Sequence, residues 1–433
     1  MSAPASQRRP WQLALATLAL TAFFSAAPVR VQTDSIWAIP TALSLVRDGD
    51  ADLTEFGAAT KQNPHGLDRF STGTFSSFPI GPALLAAPLL FFVDQTASLL
   101  SSLPAPLRAP FVRWSERSRP GSGFTLGFFD TTEVILASLF VALGVLAFFL
   151  FCEALAGTPT ALLVTVVLAL GSPALSTWTR ALWSHGPAFA CIAWAALLTV
   201  RGATVRVAIA VGVLTAFAVL CRPTAALPAF AVGLGFLWLN RRALPRCAAA
   251  TVAALVVLGL WSWWSLRTSG SAIPSYYAPA RLELTWRDWG SALLGQLSSP
   301  SRGLFIYVPF LLVAAAVPWS AARRPVHLVA AALALAHLLV TSRFPHWWGG
   351  HCYGPRLSSD AVPLLLVATL PVVSAWRTSK VGRAALAVLI ALCLLTNVPG
   401  AFRWQTWDWS GQPTDVDTAP ERLWNWSDPQ FLR

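Results

Sequence analysis

Residues Thr131–Cys152 read TTEVILASLFVALGVLAFFLFC. Glu133 is the one charged residue, in the opening turn, and everything after it is apolar or small. A hydrocarbon core about 30 Å thick takes roughly 20 such residues as a helix. A helix also satisfies its own backbone hydrogen bonds where no water can. The stretch is therefore a membrane-spanning helix. Working outward from it, comparable runs recur at 11–28, 78–94, 159–177, 186–200, 206–220, 223–240, 246–264, 303–318, 326–341, 360–375 and 382–399. The alternation of a transmembrane barrel is absent. The expected fold is all-α: a polytopic transmembrane helical bundle of about 12 helices, about 11 to 13.

Composition points the same way. Of 433 residues, 55% are hydrophobic and 12% charged, about half the ~25% charged share of a soluble domain. The net charge of +12 would suggest nucleic acid in a soluble protein. Here it reads as positive-inside anchoring plus arginines facing anionic lipid-linked groups, with no nucleic-acid partner. Lys61 and Lys380 are the only lysines. The six cysteines (Cys152, Cys191, Cys221, Cys247, Cys352, Cys393) fall mostly inside apolar runs, without metal-ligand spacing or a dense disulfide framework. Arg8 and Arg9 before the run Trp11–Ala27 imitate a signal peptide. The rest of the chain itself spans the membrane, so an uncleaved first helix is expected.

Arginine sets the orientation. Short basic loops at Arg201–Arg206, Arg241–Arg246, Arg323–Arg324 and Arg377–Arg383 read as cytoplasmic. Counting spans then places 29–77, the 178–187 turn, 265–302, 342–359 and the tail 400–433 outside, in a single domain covering 1–433. Amphipathic helices are expected in 29–77, the first extracytoplasmic loop. The stretch 95–130 conflicts: one span at 78–94 puts it inside, and counting back from the C-terminus puts it outside. Either 78–110 makes two passes, broken near Asp94 and at Pro104–Pro106, or it re-enters.

Several polar motifs stand on the outer side. Asp34, in Gln32–Ser35 just after the first span, is an acid at the membrane surface, costly unless used or paired. It also suits a helix cap. Asp48-Gly49-Asp50 follows as a turn with carboxylates, and Phe78-Pro79-Ile80-Gly81-Pro82 opens the next run. His185, in Leu182–Pro187, can meet a phosphate or a substrate hydroxyl, or simply sit at the interface. Arg222 before Pro223 can pair with phosphate or snorkel. Ser299–Phe305 contains Arg302. The loop His346–Arg356 gathers Trp347, Trp348, His351, Tyr353 and Arg356 around glycines that permit close backbone approach. Trp347 and Trp348 are candidates for stacking on a sugar face. Most of the 21 tryptophans read as interfacial anchors. No helical metal spacing is present among the histidines, so no metal ligands are assigned.

In their order and sidedness these motifs resemble the GT-C superfamily of polytopic glycosyltransferases, which includes protein mannosyltransferases and the aminoarabinose transferases acting on lipid A. The resemblance covers most of the chain. It rests on Asp34, Asp48-Gly49-Asp50, Phe78–Pro82, Ser299–Leu304 and Trp348–Arg356 followed by Leu357–Pro363; the last two look like motifs of uncharacterised bacterial members. Many relatives carry Asp-Glu where this chain has Asp34-Ser35, which removes one candidate carboxylate.

The resemblance implies transfer of a sugar from a polyprenyl-phosphate donor to a hydroxyl of a glycan, lipid or protein, outside the bacterial cytoplasmic membrane. The expected general base is Asp34, with inversion at the anomeric carbon. Arg222, Arg302, Arg356, Lys61 and His65 are the candidates for the donor phosphate. His185, Trp347, Trp348, His351, Tyr353, Asp48 and Asp50 are the candidates for sugar and acceptor. No cofactor is assigned, and a divalent metal remains open. Two other classes compete: a transporter or flippase for a lipid-linked sugar, and a noncatalytic scaffold docking through Trp424–Pro429.

Overall fold

The computed structural model describes residues 9–100, 104–121, 124–202, 204–282 and 286–433. Arg8, named above at the start that imitates a signal peptide, lies outside the described residues. Helix α1 (Pro10–Ser25) leads into a cap built from α2 (Ala38–Arg47), α3 (Gly57–Gln62), the antiparallel hairpin β1 (Leu67–Phe70) and β2 (Gly73–Ser76), α4 (Gly81–Leu100) and α5 (Ala105–Arg117). The bundle follows: α6 (Asp130–Ala156), α7 (Thr158–Leu170), α8 (His185–Arg201), α9 (Val205–Cys221), α10 (Ala226–Leu239) and α11 (Leu244–Ser269). It closes with α12 (Trp286–Ser298), α13 (Leu304–Tyr307), α14 (Pro325–Thr341), α15 (Ala361–Trp376), α16 (Lys380–Phe402) and α17 (Gln405–Asp408).

Among the described residues the regular structure is helical apart from one hairpin, with irregular segments between the helices. Four helical stretches, Gly81–Leu100, Leu126–Ala156, Leu244–Ser269 and Lys380–Phe402, are long and apolar enough to cross a bilayer. The other apolar helices are shorter, so length alone supports fewer spans than the expected dozen. Helix α6 is the axis of the bundle. Val141, Val145, Phe148 and Cys152 join one core with residues of α7, α8, α15 and α16. Gly144 and Gly186 let α6 and α8 run side by side: a Cβ at Gly144 would strike the Phe189 ring, and one at Gly186 would meet Val141. Helix α11 is the opposite case, with Leu255, Leu260, Trp263 and Leu266 all more than half exposed. An apolar surface of that extent belongs in lipid, and the chain is an integral membrane protein.

The cap bears on the conflict over 78–130. Helix α2 is amphipathic, and Ile39, Ala42 and Leu43 pack on Ala83, Ala86 and Leu90 of α4. Helix α4 runs through Asp94 without a break. Its first residue, Gly81, abuts Leu220 and Cys221 at the C-terminal end of α9. Asp94 accepts from the Trp114 indole at 3.1 Å, and Trp114 packs on Phe129, immediately before α6. Both ends of this path lie at the end of the bundle where α6 begins and α9 finishes. Among the described residues, Asp94, Trp114 and Phe129 therefore sit together at that end of the bundle.

The expected span 303–318 also differs. It folds as the short α13 followed by a 3-10 helix, Pro309–Trp319. Pro309 has no amide hydrogen to continue the ladder. The Tyr307 carbonyl is taken out of the ladder as well, accepting from Thr396 Oγ1 and Asn397 Nδ2 of α16, each at 2.7 Å. The tryptophans divide as well. Trp11, Trp238, Trp263, Trp319 and Trp426 are largely exposed, as interfacial anchors should be, but Trp37, Trp178, Trp183, Trp348, Trp407 and Trp409 are buried.

Candidate active site

Three segments distant in sequence meet at one end of the bundle: 31–35 after α1, 181–185 before α8, and 356–360 before α15. Arg180 makes the first junction. Its fully buried guanidinium donates to the carbonyl of Phe24, which the C-terminal turn of α1 leaves without a helical partner, and to those of Ala27 and Val29 just beyond the helix. The Arg180 carbonyl in turn accepts from Val31 N at 3.1 Å. Trp183 makes the second junction by donating from Nε1 to Thr33 Oγ1 at 2.9 Å.

The junctions aim Asp34 at Arg356. Asp34 Oδ2 pairs with Arg356 Nη2, and the guanidinium lies 4.0 Å from the centre of the Trp183 ring. His65 Nε2 stands 3.4 Å from Asp34 Oδ1, and the His65 carbonyl is fixed by the buried Trp37 indole at 3.0 Å. Burial works against a charged Asp34, but Arg356 and His65 outweigh it and hold the carboxyl well below the ordinary carboxylate range. The hydrogen bond to Asp34 raises the His65 pKa, against partial burial. Asp34 keeps 28% of its side chain exposed and Arg356 only 11%, so the carboxylate is the reachable half of the pair. It faces a small cleft of about 40 Å³ lined by Phe78, Trp183, Trp264 and Tyr276 among others. Such a site offers an ionised hydrogen-bond acceptor beside aromatic faces.

A second ionic centre adjoins the first. Asp360 takes His185 Nδ1 on one oxygen, at 2.7 Å, and Arg222 Nε on the other. The His185 ring is fully buried and stacks on Trp178 with 5.9 Å between centres. Arg222 Nη1 also donates to Ser184 Oγ at 3.1 Å, and Ser184 lines the Asp34 cleft. Arg222, Thr224 and Asp360 stand at the polar head of an apolar groove of about 980 Å³, walled by α8, α10, α14 and α15 and reaching Arg241 at its far end.

Of the candidate residues, Asp34, His65 and Arg356 come together, with His185 and Arg222 in the adjoining centre. The others are placed elsewhere. Arg302 is sealed: its guanidinium donates to the carbonyls of Ser301, Trp348 and Gly350, to Gln430 Oε1 and to Ser410 Oγ. That occupies every N–H it has and leaves none for a phosphate. Tyr353 is fully buried with its hydroxyl on the Thr396 carbonyl, out of reach of a sugar. Trp348 is buried on the tail and donates to Asp417 at 2.7 Å; Trp347 packs on Trp348 and Trp424. Neither lines the cleft. Asp50 caps its own turn, accepting from Ser44 Oγ and Asp52 N. Asp48 and Lys61 are exposed and also outside the cleft lining. Of the loop 342–359, Arg356 alone lines the cleft; Trp347, Trp348, His351, Cys352 and Gly354 meet the tail.

His351, Asp415 and Asp417 form the group, among the described residues, whose ligand atoms lie close enough for a cation, within 4.8 Å of one another. His351 of the loop and Asp417 of the tail are exposed, and Asp415 is half-buried. Sequence reading missed Asp360, Trp264 and Tyr276. Asp360 carried a signal, an acid at the mouth of an apolar run. The two aromatics carried none beyond their place in or near an outer loop.

No protein-family model matches the chain, and no curated protein matches it. Among solved structures it is similar to the crystal structure of the Archaeoglobus fulgidus oligosaccharyltransferase in complex with Zn and sulfate. The match has a TM-score of 0.45 and 12% sequence identity, over 95% of this chain and 57% of that one. The chain thus spans little more than half the length of that protein.

Proposed function

We propose that this protein is a membrane glycosyltransferase, moving a sugar from a polyprenyl-phosphate donor to an acceptor hydroxyl of a glycan, lipid or protein. The reaction takes place on the extracytoplasmic face of the bacterial cytoplasmic membrane. One observation carries the reading: a reachable, ionised Asp34 in an aromatic cleft whose Ser184 accepts a hydrogen bond from Arg222 at the head of a long apolar groove. The motif order that resembles the GT-C superfamily supports it independently. The groove suits an isoprenoid tail, and Arg222 at its head suits the phosphate. Trp264 and Tyr276, rather than Trp347 and Trp348, offer faces for the sugar.

The acceptor oxygen attacks the anomeric carbon, and the bond from that carbon to the phosphate oxygen breaks, its electron pair leaving with the phosphate. The acceptor proton passes to Asp34. A carboxylate held so far below its ordinary pKa is a weak base toward a neutral hydroxyl. It takes the proton late, once the forming glycosidic bond has made the oxygen acidic. Single displacement gives inversion.

The test is release of label from a panel of radiolabelled polyprenyl-phosphate sugars by membranes holding wild type or Asp34→Asn at equal level. Consumption by wild type that collapses in the variant is expected. Equal consumption by both overturns Asp34 as the base; translocation of intact donor without release favours a transporter.

A further inference from the structure

Glu133, near the start of α6, is 1% exposed, and none of the steps above uses it. Its Oε2 accepts from Ser35 Oγ at 2.7 Å and from Leu182 N at 3.2 Å; its Oε1 is buried without a partner. A carboxyl group among apolar helices is costly, and a well-packed hydrophobic residue in its place is often more stable. Anchoring α6 does not account for it.

The contacts of Glu133 do. Ser35 follows Asp34 in the chain, and Leu182 precedes Trp183. Asp34 pairs with Arg356, and Arg356 lies on Trp183. The path from Glu133 through Ser35, Asp34, Arg356, Trp183 and Leu182 returns to Glu133 as a closed ring, and a single oxygen receives both of its ends. Ser35, Leu182, Asp34, Trp183 and Arg356 all line the cleft. We infer that Glu133 is a positioning residue for the transfer reaction: by holding Ser35 and Leu182 on one oxygen it sets how Asp34 faces the Arg356–Trp183 wall. The kinetic part of this inference rests on the proposed function. The structural part does not.

The experiment compares Glu133→Leu, Glu133→Gln and Ser35→Ala in the full-length protein in nanodiscs, with two readouts. One is donor turnover, and the other is hydrogen–deuterium exchange in the peptide that contains Leu182. Glu133→Leu is expected to lower kcat by about 100-fold, the scale of an ångström of misplacement, with KM for the donor within about 2-fold. Exchange at Leu182 should accelerate by about 10-fold or more. Glu133→Gln keeps an accepting oxygen and should restore both readouts to within about 5-fold. Ser35→Ala should fall between them and add nothing to Glu133→Leu, because both break the same ring.

Unchanged exchange at Leu182 in Glu133→Leu overturns the inference. So does faster exchange with unchanged kcat, or a loss confined to KM. If Glu133→Leu does not fold, Ser35→Ala decides by the same criteria. A wild type that consumes no donor overturns the proposed function and not the ring, which exchange still tests.

Discussion

Two arginine–aspartate pairs stand side by side, Arg356–Asp34 and Arg222–Asp360, and they differ in their third member. The histidine on Asp360, His185, has no exposed side-chain surface, whereas the histidine on Asp34, His65, is 69% exposed. Asp360 has both oxygens tied to groups that packing locks. Asp34 has one oxygen on a buried arginine and the other on an imidazole open to water at 3.4 Å. Chemically similar triads are thus built once as a fixture and once as a site that a ligand can enter. The carboxylates themselves differ little, 28% exposed in Asp34 and 21% in Asp360; the open histidine leaves Asp34 room for proton transfer, and the buried one lets Asp360 hold helices α8, α9 and α15 in register.

The sharpest break of this comparison is a pair of isosteric changes. Asp34→Asn should lower turnover by about 1,000-fold, within the range for a general base, and shift the thermal midpoint little. Asp360→Asn should act chiefly on stability and donor binding. Removing one partner of a buried pair costs about 3–5 kcal/mol, so the protein should melt much earlier, and because Asp360 orients Arg222 the folded fraction should show a raised donor KM with most of its kcat kept. Thermal unfolding followed beside kcat separates the two. Equal losses of stability and turnover in both variants would mean that the pairs are not different in kind.

A smaller effect is expected at the sealed Arg302. Arg302→Lys keeps the charge but loses the planar fork that reaches Trp348, Gly350, Ser410 and Gln430. At about 1–3 kcal/mol for the acceptors left unsatisfied, the tail 403–433 should loosen from the loop 342–359. Limited proteolysis should then cut the tail at least ~10-fold faster, with donor KM unchanged. A raised KM at an intact tail would return Arg302 to the donor site.

How far the sequence could lead follows from the kind of information each residue carries. The helical runs were legible because lipid imposes a length and a composition on each run separately. Asp34 was legible because an acid beside a span is conspicuous in one dimension. Arg222, Arg302 and Arg356 were not distinguishable, since each is an arginine at or near the edge of an apolar run. What separates them is which acceptors the fold delivers: Asp360, the tail, or Asp34. The same holds for Glu133 and Ser35, 98 positions apart, and for Tyr353, whose glycine-rich loop suggested access while Tyr307 and Trp407 enclose it. The 3-10 helix after Pro309 depended on Thr396 and Asn397, which no local pattern connects to it.

The smallest effect is also the most diagnostic of the open triad. Asp34 raises the His65 pKa above 6.5, so their charged contact stabilises the first loop fully below pH 6.5 and is lost as pH rises through the raised value. The Asp34 pKa is depressed below 3.8, so its own contribution is present above pH 3.8 and lost only as pH falls through that lowered value, far beneath any working range. Between neutral and mildly alkaline pH, only His65 changes within the triad. Its deprotonation withdraws a positive neighbour from Asp34 and makes the carboxylate a better proton acceptor. Turnover should therefore rise about 2- to 5-fold with pH through the His65 pKa, a modest step because water screens so exposed a histidine. His65→Gln should remove the step and hold kcat near the high-pH level throughout. If the step persists in His65→Gln, another group titrates there. If the variant settles at the low-pH level instead, His65 contributes something other than its charge.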